Sequence, residues 1–293
     1  MNQLKLVKNN REIEKVRKSF NELAQKTFGI NFESWYEKGY WTEKYIPFCY
    51  VDQDEVVANV SVNVIDLIVL GEKKRAIQIG TVMTNTAYRN QGLSRKLMEG
   101  ILNSYEGHYD IMYLFANESV LEFYPKFGFV PIDEYLYYMD FDGQKEKQSL
   151  FKKLDGTNQD DLNFIYHYAS KRLPVSSTFA AMNTEELLMF YCINVFPHNI
   201  YYSELLNVIV IGQHENSELH LFDVISHQKV NIEKIIQELS TLETKKVVFH
   251  YTPEYDNITL KKLLHKGSEQ LFVKRKSHTM LPSYIKHPLT SQA

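Results

Sequence analysis

The chain has only two cysteines in 293 residues, Cys49 and Cys192, and neither belongs to a CxxC pair. That removes a disulfide framework and a zinc ribbon, and a reducing compartment fits the composition best. A basic excess is also missing, since 33 Lys and Arg stand against 36 Asp and Glu for a formal charge of -3. Nucleic-acid binders depend on neutralising phosphates, so no nucleic-acid partner is expected. Long apolar runs are absent too: VVANVSVNVIDLIVL at 56–70 is broken by Asn59, Ser61, Asn63 and Asp66. A membrane span needs ~20 apolar residues, so no membrane partner is expected. The opening MNQLKLVKNNREIEKVRKSF is charged throughout and does not read as a signal peptide, which leads to the expectation of a cytoplasmic protein. Neither GxGxxG nor GxxxxGK followed by Ser or Thr occurs, so the dinucleotide and triphosphatase phosphate loops are excluded.

What is present is an average globular mixture, 44% hydrophobic and 24% charged. Asn9 and Glu12 have capping-box spacing, and Ile13, Val16, Phe20 and Leu23 recur at helical intervals, predicting a helix over 10–26. A short helix follows at 31–38. From 45 the period becomes two, with Val56, Ala58, Val60, Val62 and Val64 on one face and Asn59, Ser61 and Asn63 on a face expected to meet water. The run GEKKR at 71–75 joins this strand to AIQIGTVMT as an antiparallel hairpin. A glycine-containing turn, a helix from Leu93 and a strand at 108–117 then make a crossover unit. A further helix at 118–126 and strands at 129–132 and 134–141 complete the half.

The second half repeats this plan in order of elements. FKKLDGTNQDDLNFIYHY at 151–168 parallels LKLVKNNREIEKVRKSF at 4–20, and VFHYTPEYDNITLKKLLHKG at 248–267 parallels LFANESVLEFYPKFGFV at 114–130 as strand, turn and helix. The polar stretch FDGQKEKQS at 141–149 reads as the junction. Two α/β (α+β) domains are expected, 1–142 and 150–293. Nine of the ten histidines lie beyond residue 160, yet His214, His220 and His227 show no HExxH spacing, so structural roles and no metal are expected.

The chemistry concentrates in YRNQGLSRKL at 88–97. The chain has only 12 glycines, and one of them, Gly92, stands between an Arg/Asn/Gln cluster and an amphipathic helix. A helix opening after such a turn presents unpaired N–H groups and the positive end of its dipole, a socket for an anion. Arg89, Gly92 and Ser94 in VMTNTAYRNQGLSRKLM resemble the (Q/R)xxGx(G/A) segment of the GNAT superfamily of N-acetyltransferases. Ser94 departs from the usual Gly or Ala. Asn117, Tyr124, Gly128 and Phe129 match a second block of the same family.

The resemblance implies tandem GNAT-like domains, each a mixed, mostly antiparallel sheet flanked by helices, the second a degenerate copy that shapes or covers the acceptor groove. It implies acetyl-CoA as donor, with Arg89, Asn90, Gln91, Gly92, Leu93 and Ser94 on the pyrophosphate, Met83 and Thr84 on the pantetheine arm, and Asn117 in the coenzyme site. It further implies direct transfer to a small-molecule or peptide amine in a ternary complex, with Tyr124 returning a proton to the leaving thiolate. A phenol of about 10 and a thiol of about 8.5 are close enough for that exchange. Strand AIQIGTVMT offers no carboxylate to serve as base; Glu118, a water chain and the carboxylate at Ala293 remain open. The missing carboxylate keeps a second reading alive, a non-catalytic acyl-CoA-binding sensor or interaction module.

Overall fold

The computed structural model describes residues 4–142, 150–276 and 279–293. In chain order the first half contains β1 (Lys5–Lys8), α1 (Glu14–Phe28), α2 (Glu33–Glu37), β2 (Tyr45–Asp52), β3 (Glu55–Val69), β4 (Glu72–Thr84), α3 (Leu93–Tyr105), β5 (Ile111–Asn117), β6 (Val130–Ile132) and β7 (Tyr135–Asp140). The second contains β8 (Lys152–Leu154), α4 (Gln159–Ala169), β9 (Phe179–Met182), α5 (Glu185–Asn194), β10 (Ile200–Ser203), β11 (Val208–Glu215), β12 (Glu218–Ser226), α6 (Ile232–Leu239), β13 (Lys246–Phe249), β14 (Lys261–Leu264) and β15 (Glu269–Arg275).

These strands form two mixed sheets. The first runs β1-β2-β3-β4-β5-β15-β6, with β9 on the end of β3 that β2 leaves open. The second runs β14-β7-β13-β12-β11-β10-β8. Each holds one parallel ladder, β4–β5 and β12–β13, linked by the crossover helices α3 and α6; the other ladders are antiparallel. The sheets do not divide at the 142–150 junction. β7 lies in the second sheet between β14 and β13, and β15 lies in the first between β5 and β6, so the first half lends one strand and the second lends two, β9 and β15.

Local readings met several corrections. The β3–β4 hairpin is present, but it turns on Leu70 and Gly71 alone, both at positive φ, and the KKR residues are already in the ladder. Asn9 caps nothing: it sits at φ 55, a short 3-10 turn follows, and α1 starts only at Glu14. The helix expected at 118–126 is two short 3-10 turns, 118–120 and 124–127; Pro125 supports the first residues of such a turn but cannot donate within a longer helix. In the second half Lys261–Leu264 is a strand on β7 where a helix was expected, because its partner comes from a distant part of the chain. The polar row Asn59, Ser61 and Asn63 does not meet water but is buried.

The halves share a core. Trp35, Trp41, Phe20 and Tyr45 pack with Met189, Cys192 and Phe196 in one cluster. Trp35 Nε1 donates to the Glu186 carbonyl at 2.7 Å, and Lys44 reaches Glu185 and Glu186 at 2.9 and 2.8 Å. The C-terminal segment is anchored by buried polar contacts. Lys286 pairs with Glu134 at 3.2 Å, His287 Nε2 meets the Tyr113 hydroxyl at 2.9 Å, and Thr290 donates to Asp223 at 2.9 Å. Asp223 also takes two bonds from Arg172, at 2.7 and 2.6 Å.

Burial pushes the His250 and His287 imidazoles down to about 3, with Lys286 adding to the effect in both and His220 in the first. An unfolded imidazole takes up its proton near 6.5. Below that value the unfolded chain therefore binds more protons than the folded one, and stability falls until pH reaches about 3. Urea unfolding at neutral pH and at about pH 4.5 is expected to show a lower midpoint in acid, and a smaller drop in His287→Gln. A pH-independent midpoint would contradict this.

Candidate active site

β4 and β5 pair in parallel from Ala76↔Ile111 to Ile79↔Leu114, and there the ladder stops. Both strands continue, β4 to Thr84 and β5 to Asn117, without pairing to each other. A bulge in β4 fixes the parting. Asn59 faces Met83 but Ser61 faces Gly80, so Thr81 and Val82 together oppose one residue of β3, and Thr81 takes φ 50. Buried polar groups hold it: Asn59 Nδ2 donates to the Thr81 carbonyl at 2.8 Å and to Ser61 Oγ at 2.9 Å, and the Tyr45 hydroxyl meets Thr81 Oγ1 at 2.5 Å.

Beyond Thr84 the chain enters a capped turn, in which Asn85 accepts from the Ala87 N–H, and then reaches α3 through Asn90 at φ 63 and Gly92 at φ 73. Gly92 is the N-cap and has no side chain to cap with, so the first N–H groups of α3 are left for another acceptor. Ser94 Oγ lies 2.7 Å from Thr84 Oγ1, tying the helix start to the strand end. Leu93, Leu97, Met98 and Ile101 bury the helix on the sheet and keep that end in place.

The parted strands open a cavity of about 1070 Å³. Of the residues assigned to the coenzyme from sequence, Met83, Thr84, Arg89, Asn90, Gly92, Leu93, Ser94 and Asn117 line it; Gln91 does not. Asn117 spends its side-chain oxygen on the Ser119 N–H and hydroxyl, at 3.1 and 2.6 Å, capping the next turn.

Tyr124 also lines the cavity. Its ring is 4% exposed against Phe123, Phe129 and Phe272, yet its hydroxyl has no hydrogen-bond partner among the described residues. Burial, with Glu269 adding to it, raises the phenol above its ordinary value. Tyr124 therefore holds its proton across the neutral range. Glu118 is exposed and does not line the cavity, whereas Ala293 does.

Several lining residues went unread in the sequence. Leu187, Phe190, Tyr191 and Val195 come from α5 and its end, and Phe28 and Ile30 from the end of α1. Glu269 opens β15. Alternation of Leu271 and Val273 could have marked that strand, but nothing local says that it joins β5. Gln292 and Ala293 close the cavity beside Gly80. Gln78, with its amide turned so that both atoms are satisfied, donates to the Ser291 carbonyl at 3.2 Å and accepts from the Ala293 N–H at 2.9 Å. The histidines singled out earlier have other employment: His214 and His227 bond the carbonyls of Leu239 and Tyr168 at 2.8 Å each.

A parallel pair that parts and feeds a glycine-led helix is the feature set beside known proteins here. Residues 10–132 match the family described as Acetyltransferase (GNAT) domain. The whole chain is similar in fold to three solved structures. One, from Enterococcus faecalis V583, is described as a conserved protein of unknown function and "Probable N-Acyltransferase"; it is 12% identical with a TM-score of 0.62, covering 93% of this chain and 72% of that one. A GCN5-related N-acetyltransferase from Kribbella flavida is 14% identical with a TM-score of 0.55, covering 93% and 71%. Eis1 from Mycobacterium abscessus is 9% identical with a TM-score of 0.56, covering 93% and 73%. No curated protein sequence matches. Among the described residues no helix is long and apolar enough to cross a membrane.

A Cβ built on Gly80 would lie 2.6 Å from the Ala293 backbone oxygen, so any side chain must displace the C-terminal segment. Gly80→Ala is expected to cost about 1–3 kcal/mol, measured by urea unfolding. An unchanged midpoint would show that Ala293 is not packed there.

Proposed function

We propose that the chain transfers an acetyl group from acetyl-CoA to an amine by direct attack in a ternary complex. The observation that carries the reading is that one cavity is lined by the uncapped start of α3, the parted ends of β4 and β5, and Tyr124, whose hydroxyl has no partner among the described residues.

Each of the chain's groups has a task in this reading. The first N–H groups of α3, with Arg89 and Arg95 beside them, take the pyrophosphate, a doubly favourable place for an anion. Gln91 is left out of this role, because it does not line the cavity. The unpaired edge of β4 at Met83 and Thr84 offers main-chain partners to the pantetheine amides, and Asn117 borders the opposite strand. Tyr124 donates a hydrogen bond to the sulfur as charge develops there. Its raised phenol value makes it a poor free acid, so the proton moves only as the carbon–sulfur bond breaks. The second half, read as a degenerate copy of the first, supplies the acceptor side of the cavity through α5 and β15.

A non-catalytic sensor would have no use for an unpartnered phenol at the acyl end, and is set second for that reason. Titration calorimetry with coenzyme A is expected to show binding to both wild type and Tyr124→Phe. Thiol release in the presence of an amine is expected to fall about 10²–10⁴-fold in the variant. Equal turnover would assign Tyr124 to packing, and binding without thiol release from any amine would leave the sensor.

A further inference from the structure

The acceptor side of the cavity differs in chemistry from the coenzyme side. Among the described residues only three charged side chains line the whole cavity: Arg89 and Arg95 near the start of α3, and Glu269. Glu269 faces Asn117 across the β15–β5 ladder. Alternation along β15 places Glu269 with Leu271 and Val273, which pack against Tyr113 and Phe179, while Phe272 points to the other face with Tyr124 and α3. Glu269 is thus on the sheet face away from α3, at the strand end beside the gap. Tyr191 of α5 lies close enough to feel its charge, as does Tyr124 from the other face.

Much of the rest of that side is apolar, with Gln292 and the main chain of Ala293 at its Gly80 edge. Phe28 and Val195 are exposed at 41% and 47%, and both border the cavity with Ile30, Leu187 and Phe190, so the exposed apolar surface here is a patch and not a lone residue. A single acidic side chain in a largely aromatic and aliphatic recess suits a ligand with one cationic end and an apolar body; the further charges of a polycation would meet no second acidic side chain among the described lining residues.

We propose that the acceptor is an amine with a single positive charge and an apolar body, its ammonium held by Glu269 and its body lying against Phe28, Ile30, Phe190 and Val195. The inference rests on the acyltransferase reading above and names the substrate class of that site. In the step that follows, the Glu269 carboxylate takes one proton from the ammonium, giving a neutral amine and a carboxylic acid. The amine lone pair forms the carbon–nitrogen bond to the thioester carbonyl, the carbon–sulfur bond breaks, and the sulfur takes the Tyr124 proton. The surplus proton on the new amide nitrogen returns to Tyr124, and Glu269 releases its own to solvent. Burial, with Glu134 adding to it and Lys286 opposing, holds the Glu269 carboxyl above the ordinary range and makes it a better proton acceptor.

The test compares 2-phenylethylamine with spermidine, using acetyl-CoA as donor and the wild-type chain, with Glu269→Gln and Phe190→Ala alongside. Wild type is expected to favour 2-phenylethylamine by at least about tenfold in kcat/KM. Glu269→Gln should lower kcat/KM for 2-phenylethylamine by about 10²-fold or more. The same variant should leave inhibition by the uncharged isostere 2-phenylethanol unchanged, which a general loss of structure would not do. Phe190→Ala should weaken both ligands. Coenzyme A calorimetry separates the two levels of the reading: no binding sinks the acyltransferase assignment itself. Binding with spermidine preferred, with no turnover of 2-phenylethylamine, or with Glu269→Gln as active as wild type, overturns this inference alone.

Discussion

Two adjacent parallel strands that stop pairing while both still run forward leave a gap that something must fill or use. In this chain the ladder between β4 and β5 ends at Ile79 and Leu114, and the extra residue at Thr81 bends β4 away. Backbone that leaves a ladder inside a protein needs other partners. The buried amide of Asn59 and the hydroxyl of Tyr45 satisfy the β3 side of the bulge, and the far side stays open to the cavity. The direction of α3, the place of Tyr124 and the width of the cavity all follow from that parting.

Strand exchange then makes the second half part of the same site. β15 continues the first sheet past β5 and carries Glu269 to the cavity, and β7 does the reciprocal service for the second sheet. Neither half can close its own sheet without the other. The shared aromatic cluster around Trp35, and the buried pairs Lys286–Glu134 and Arg172–Asp223, hold the C-terminal segment where Ala293 meets Gly80. Breaking one member of such a pair leaves a buried charge uncompensated, so these contacts fix geometry more than they add stability.

Short-range features were legible in the sequence. The β3–β4 hairpin follows from period two and one glycine, and the helix start that borders the cavity follows from a glycine with basic neighbours. These depend on residues within about 20 of one another, where local chemistry decides. Longer-range features were not. Asn59 and Ser61 look like a wet face because alternation cannot tell a polar residue facing solvent from one bracing a buried bulge. Lys261–Leu264 has helix-forming residues but pairs with β7, over a hundred positions away in the chain. Glu269 stands in a run whose alternation marks a strand, yet no local signal names its neighbour.

Amide hydrogen exchange in the presence and absence of coenzyme A tests the central claim most directly, because it reads the main chain on both sides of the parted ladder. Slower exchange is expected at the first turn of α3 and along 81–84, with α6, the crossover helix of the other sheet, unchanged. Protection elsewhere with none at those amides would contradict the idea that the gap between β4 and β5 is where the coenzyme lies.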